Sequence, residues 1–365
     1  MRHTYRNASN KLREKIKIAG ITHIADLKEP VLKALAVEVD KDSLELQDDI
    51  LGFVPDEPIY DMEFAANIVR NSSQMAGMIG FGAEPPVRDK DEVARVLGEI
   101  AKFGGKDIVT EVELLKLHNP RSDQEFKAIV DKITATGAKM VKETRDRINV
   151  AKLQLLTTGK VSFDNNNVKV DLDFSEYIPA EQKVVLSGAD TWANPDHDVI
   201  GDLLEWNNVY EANNGKQADA IYMSRKVQAL LLKNAVIVNE ASGAGSGRGR
   251  VSNDELNSVL GGYGLPPVRL VKKTKATVRP YGAAQAQTIE TFPENRVLFV
   301  SEGAANFKLG PTVENNYQPG IVLDAYDKFE PIQSILRTAA AGFPVIEEPN
   351  LLLYADVIPE EGAEG

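Results

Sequence analysis

The chain has 365 residues, 43% of them apolar, enough for one large core or two moderate ones. It contains no cysteine, which excludes disulfides and thiolate metal sites and suits a reducing compartment. With 42 basic and 54 acidic residues the formal net charge is −12, which argues against a dedicated nucleic-acid binder. Met1-Arg2-His3-Thr4-Tyr5-Arg6 leads into no apolar run, so no secretory leader is expected, and no stretch approaches the ~18–20 apolar residues of a membrane helix. Charge is uneven along the chain. Arg2, Arg6, Lys11, Arg13, Lys15 and Lys17 crowd the start, whereas Glu347, Glu348, Asp356, Glu360, Glu361 and Glu364 mark a tail without bases. Such ends either attract neighbouring copies or are simply solvated.

Residues 1–60 carry short apolar patches (Ile16, Ile18, Ile21, Ile24; Leu32, Leu35, Val37, Val39; Ile50, Leu51, Phe53) interrupted by Pro30, Pro55 and Pro58. They read as an arm, unstable alone, that needs partners for burial. A short amphipathic piece over 61–80 ends in Gly77 and Gly80. Over 82–112 the pattern leaves two readings open. Val93, Val96, Leu97, Ile100 and Phe103 fit a helix stripe, while Gly98, Gly104-Gly105 and the run from Ile108 favour strands.

The clearest element is a helix over 122–158. Ser122…Glu125 has the form of a capping box, Phe126, Ile129, Val130, Ile133, Met140, Val141, Ile148, Ala151 and Leu155 make one face, and Gly159 supplies a left-handed stop. At ~1.5 Å per residue it spans about 50 Å, with a bend expected at Gly137. A rod of that length needs an extended partner along its apolar stripe. Strands around a turn at Asn165-Asn166-Asn167 fill 160–187, and Asn194-Pro195 is expected to open a helix with Val199, Ile200, Leu203 and Leu204 inward. Next come a strand at 218–223, a helix from Ser224, a strand at Ala235–Asn239, a glycine-rich loop at 242–250 and a second capping box at Ser252…Glu255. Strands at 268–279 and 296–301 close an α/β block, and 303–358 turns β-rich.

A search for chemistry ends without a catalytic, cofactor or metal site. In Gly243-Ala244-Gly245-Ser246-Gly247-Arg248-Gly249-Arg250 no register gives the Walker Gly-Lys-Ser/Thr, and the Gly-x-Gly-x-x-Gly starts at 243 and 245 meet Arg at the third glycine. His3, His23, His118 and His197 form no i, i+4 pair, and the acids of Asp196-His197-Asp198 suit the first turn of a helix. No Gly-x-Ser-x-Gly elbow exists. The basic stretch Arg269, Lys272, Lys273, Lys275, Arg279 fits DNA phosphates, an acidic neighbour or, without interleaved aromatics, an edge strand guarded by lysines.

Several ordered segments carry a resemblance. They are Leu155-Leu156-Thr157-Thr158-Gly159-Lys160-Val161, Val168–Phe174, Thr191-Trp192 before 195–198, Val297–Val300, Leu309-Gly310-Pro311-Thr312-Val313-Glu314, and Pro349–Asp356. Together they resemble the lambda-type major capsid protein E family of tailed phages. Gly82–Val87, Lys102-Phe103-Gly104 and Thr110-Glu111 resemble the extended hairpin of such proteins, which tips 82–112 toward strands. The resemblance spans about 75–358 and implies an α+β chain of the Hong Kong ninety-seven phage type. Its implied parts are an N-terminal arm (1–60), an extended loop region (61–118), a peripheral domain (119–195 and 303–365) built on the spine helix 122–158, and an inserted axial domain (196–302). It also implies self-assembly into hexamers and pentamers of an icosahedral shell around double-stranded DNA. Implied partners are copies of the chain, a scaffolding protein, a portal, a decoration protein, and DNA contacted non-specifically; neither membrane, cofactor nor enzymatic activity is implied. Gly77, Gly80, Gly82, Gly104 and Gly105 would let the hairpin swing, and Gly137 would let the spine straighten. Two rivals stand beside this reading, an encapsulin-like compartment and a cytoplasmic α/β enzyme.

Overall fold

In the computed structural model of the protein the described residues are 20–45, 47–61, 63–70, 92–99, 101–165, 168–243, 247–279 and 285–359. After two 3-10 turns, helix α1 (Glu29–Glu45) leads through a third turn, Asp49–Phe53, to strand β1 (Asp56–Pro58). Strands β2 (Glu63–Arg70) and β3 (Glu92–Glu99) pair antiparallel as a separate ribbon, and β4 (Ala101–Thr110) runs into helix α2 (Glu111–His118). Residues 92–99 and 101–110 are thus strand rather than helix. Gly77, Gly80 and Gly82 lie outside the described residues.

The spine, helix α3 (Asp123–Thr158), runs 36 residues, about 54 Å at 1.5 Å each. Ser122 Oγ accepts from Glu125 N at 3.2 Å, but the return half of the box is shifted: Glu125 Oε2 accepts from Arg121 N at 2.6 Å, one residue before the cap. Gly159 ends the helix at φ 71° and donates to Leu155 O. The helix is unbroken at Gly137, whose role is close packing: a Cβ there would lie 2.8 Å from Leu323 Cδ2. The apolar stripe needs a near neighbour along its length, and the missing side chain lets the sheet approach.

That neighbour is a six-stranded sheet. Strands β5 (Lys160–Asn165) and β6 (Val168–Asp173) make a hairpin after the spine, followed by β7 (Lys183–Val185), helix α4 (Val199–Asn214), β8 (Ala220–Met223), helices α5 (Arg225–Leu231), α6 (Ala235–Ser242) and α7 (Asn253–Gly262), and strands β9 (Val268–Leu270), β10 (Lys275–Val278), β11 (Gln287–Glu290) and β12 (Arg296–Val300). The return consists of β13 (Ala305–Thr312), β14 (Gln318–Pro319), β15 (Val322–Lys328), β16 (Gln333–Ile346) and β17 (Leu352–Asp356). In the six-stranded sheet β16 pairs along one side with β4, and along the other first with β15 and then with β13, whose far edge carries β1. The second sheet has the order β7-β17-β12-β8-β9, so strands from outside 196–302 complete it. Its core stacks Trp192 on Trp206 at 5.6 Å, sets Trp206 edge-on to Phe299, and ties Tyr210 Oη to Ser301 Oγ at 2.7 Å.

Four expectations are corrected. Residues 20–58 do not wait for a partner: α1 lies on the spine and β15, and Ile21, Leu27, Leu32, Ala36, Ile50, Leu51, Phe53 and Val54 are buried in the chain's own core. The helix expected from Asn194-Pro195 starts at Val199, capped by Asp198 Oδ1 on Gly201 N at 3.0 Å, because Asn194 spends its side chain on an Asx turn to Asp196 N. The expected strand 235–239 is helix α6, since Asn234 Oδ1 accepts from both Val236 N and Ile237 N and so outweighs the β-branched run. The expected strand 268–279 is two strands of different sheets, β9 beside β8 and β10 beside β11.

Candidate assembly surfaces

The Asp196-His197-Asp198 triplet lies beside the first turn of α4. His197 Nε2 sits 2.7 Å from Asp202 Oδ2, the atom that also accepts from Trp192 Nε1 at 2.8 Å, while Asp198 caps α4. The triplet therefore holds the 192–198 loop against α4. Among the described residues no group of three or more His, Asp or Glu is arranged to hold a metal ion.

The described end of the glycine-rich loop is clamped. Arg248 Nη1 and Nη2 reach the Glu255 carboxylate at 2.8 and 3.0 Å, and Glu255 completes the α7 capping box by accepting from Ser252 N at 2.7 Å. Arg248 first, then the Ser252 amide, hold the Glu255 carboxyl down at about 2. Its folded-state value is depressed, so this contact is complete above the ordinary carboxylate range and is lost as the pH falls toward 2. An NMR titration will place the Glu255 midpoint near pH 2, and Arg248→Ala will move it up; an unmoved midpoint would show that the capping amides alone are responsible. In the basic stretch, Lys275 pairs with Glu294 at 2.7 Å and Lys272 Nζ lies 3.8 Å from Asp48.

Among the described residues, two features are candidates for contact with other copies. The first is the β2–β3 ribbon, in register from Glu63↔Glu99 to Arg70↔Glu92. Eight pairs extend it about 26 Å at ~3.3 Å per residue, and a two-stranded ribbon is marginally stable alone. The second lies at one end of the six-stranded sheet. Ile108, Ile335 and Tyr326 form one cross-strand row there. The β15–β16 turn adds Phe329, 60% exposed, and Ile332, 43% exposed, and α2, which follows β4 at this end, shows Val112 and Leu115 to solvent while burying Leu114 and Leu117. Six exposed large apolar side chains at one end of a sheet exceed the scatter expected of a monomer surface. Sequence reasoning missed this surface. Its only signal is Phe329 beside Glu330-Pro331, a large aromatic in a turn where polar residues are the rule.

A family model for phage major capsid protein E matches residues 49–328, more than half of the chain. Among solved structures, a prophage capsid protein of E. coli CFT073 superposes with a TM-score of 0.59 at 12% identity, covering 91% of this chain and 99% of that one. A phage-related protein from Bordetella bronchiseptica RB50 gives 0.50 at 11% identity, covering 88% of this chain and 96% of that one. At such identities the likeness shows a shared fold. A comparison with curated protein sequences returns no match. The spine-and-sheet architecture and the family match agree, and the chain belongs to the phage major capsid protein E family, the shell subunits of phage heads.

Proposed function

We propose that this chain tiles an icosahedral head around double-stranded DNA as hexamers and pentamers, acting as a building block without catalysis. The observation that carries this reading is the uncovered apolar end formed by Ile108, Val112, Leu115, Tyr326, Phe329 and Ile332. A shell subunit buries such a patch on each neighbour, and weak contacts are multiplied by closure. The spine with the six-stranded sheet serves as the peripheral part, about 119–195 and 303–365. Residues 196–302, joined by β7 and β17, serve as the axial part at capsomer centres, with the β2–β3 ribbon reaching over a neighbour. The assembly takes place in the host cytoplasm, with a scaffolding protein and a portal as partners and a decoration protein as a further one. The net charge of −12 suits a wall that repels packaged DNA and leaves it mobile.

The double variant Phe329→Ser/Ile332→Ser tests the patch. The subunit will keep its denaturation midpoint to within about 0.5 kcal/mol, because both side chains are already solvated. Electron microscopy and sedimentation will show free subunits where the unaltered chain gives shells. Normal shells from the variant would remove the patch from the assembly surface.

A further inference from the structure

We propose that residues 20–58 form a charge-held strap that closes the separate subunit, shutting the β13 edge and part of the spine's apolar stripe against association; what association means here rests on the shell-subunit reading above. Four carboxylates spread over this one segment each meet a cation of the body. Asp40 Oδ1 lies 2.6 Å from Arg145 Nε, and Asp56 lies 2.6 Å from Arg145 Nη1 and 2.5 Å from Lys152 Nζ. Glu57 pairs with Lys308, and Asp48 lies 3.8 Å from Lys272 Nζ while accepting from the Lys272 backbone N at 3.1 Å. The leading end is pinned as well: Ile21 N donates to Ser334 Oγ at 3.1 Å and Thr22 Oγ1 donates to Asp327. A side chain at position 20 would fall onto the Asp327 carboxylate, so the glycine is part of the seat.

Between its apolar ends the strap joins a narrow apolar face to an ion pair. Helix α1 buries Leu32 and Ala36, packs Leu35 and Val39 partly against the core, and turns Val31 and Val37 outward. The Arg145 and Lys152 side chains are each 1% exposed, and the carboxylates that pair with them are Asp40 and Asp56, both on the strap. Burial opposes the Arg145 charge, but the two carboxylates outweigh it and raise its pKa; at Lys152 burial prevails over Asp56 and lowers it. A lifted strap would leave two cations in an apolar site, which makes its release all-or-none rather than gradual. What release uncovers is specific. Strand β1 is the edge partner of β13, and an unpaired strand edge is a template for another chain.

The test uses the full-length chain below its assembly concentration, with backbone amide exchange read by mass spectrometry. Asp40→Asn/Asp56→Asn will lower protection over 20–58 on the order of a hundredfold, while β16 and β17 keep theirs. Replacing the four charges together (Arg145→Met, Lys152→Met, Asp40→Leu, Asp56→Leu) will restore protection by matching apolar to apolar. In light scattering the double variant will associate at a concentration about tenfold lower than the unaltered chain, an edge being open. Retained protection over 20–58, joint loss in β16 and β17, or an unchanged association threshold would each overturn the strap. If the unaltered chain never associates while the strap opens as described, the shell reading fails and the latch alone stands.

Discussion

Gly342→Val will cost about 3 kcal/mol or more of stability, seen as a lower denaturation midpoint and poor solubility. Gly342 sits in β16 with Leu309 of β13 on one side and Ala101 of β4 on the other, so its backbone is paired on both edges and cannot move aside. A Cβ would lie 2.7 Å from the Lys308 carbonyl oxygen and closer still to the Phe307 ring. Phe307 is fully buried, so the ring has no empty space to rotate into. Gly261→Ala is the control: it lies in α7 with nothing within 4 Å of the added Cβ, and will change stability by less than about 1 kcal/mol, in the stabilising direction. Equal behaviour of the two variants would mean that the strand relaxes at little cost, contrary to its pairing on both edges.

The sequence made the spine legible because three independent signals coincide there: a serine cap at 122, a stripe repeated over about eight turns, and a glycine at 159 where φ is positive. The second capping box at Ser252 was readable for the same local reason. Misreadings cluster where local signals compete. Asn194 and Asp198 are equally good caps on paper, and only the fold decides that the former makes a turn. Ala-Val-Ile-Val has strand propensity, yet a single Asn234 cap and packing beside α4 and α7 make it helix.

The arm was misjudged for a different reason. Its acids look like ordinary solvated charge, because the cations that take them up lie between 89 and 251 positions away in the chain for the Arg145–Asp56 and Lys308–Glu57 pairs. No periodicity encodes such a match. The apolar end of the sheet is hidden likewise: alternation marks which strand residues share a face, but not which face or end the rest of the chain leaves bare. Assembly surfaces are therefore less legible than cores, since the pattern that would bury them belongs to another copy.

Arg296→Met will lower stability by about 2–4 kcal/mol and loosen the end of the spine in particular. The last carbonyls of a helix have no partners within it, and here the second sheet supplies them. Tyr354 Oη donates to Leu156 O at 3.0 Å, and Arg296 Nη1 donates to Thr157 O at 2.7 Å. The guanidinium also forks onto Asp356 with two contacts of 2.7 Å and covers the Tyr354 ring 5.0 Å from its centroid. One side chain thus joins the spine's negative end, β12 and β17. Burial raises the Tyr354 phenol's pKa, so it stays a donor and cannot replace the lost charge. Removing Arg296 leaves the Asp356 carboxylate, 18% exposed, without its fork. Amide exchange in the variant will rise over the last turns of the spine and along β17 before it rises in β16. Arg296→Lys will recover only part of the loss, because an ammonium cannot bind the carboxylate in two places and reach the carbonyl as well. A Met variant within about 0.5 kcal/mol of the unaltered chain would mean that the spine's packing alone holds it to the second sheet.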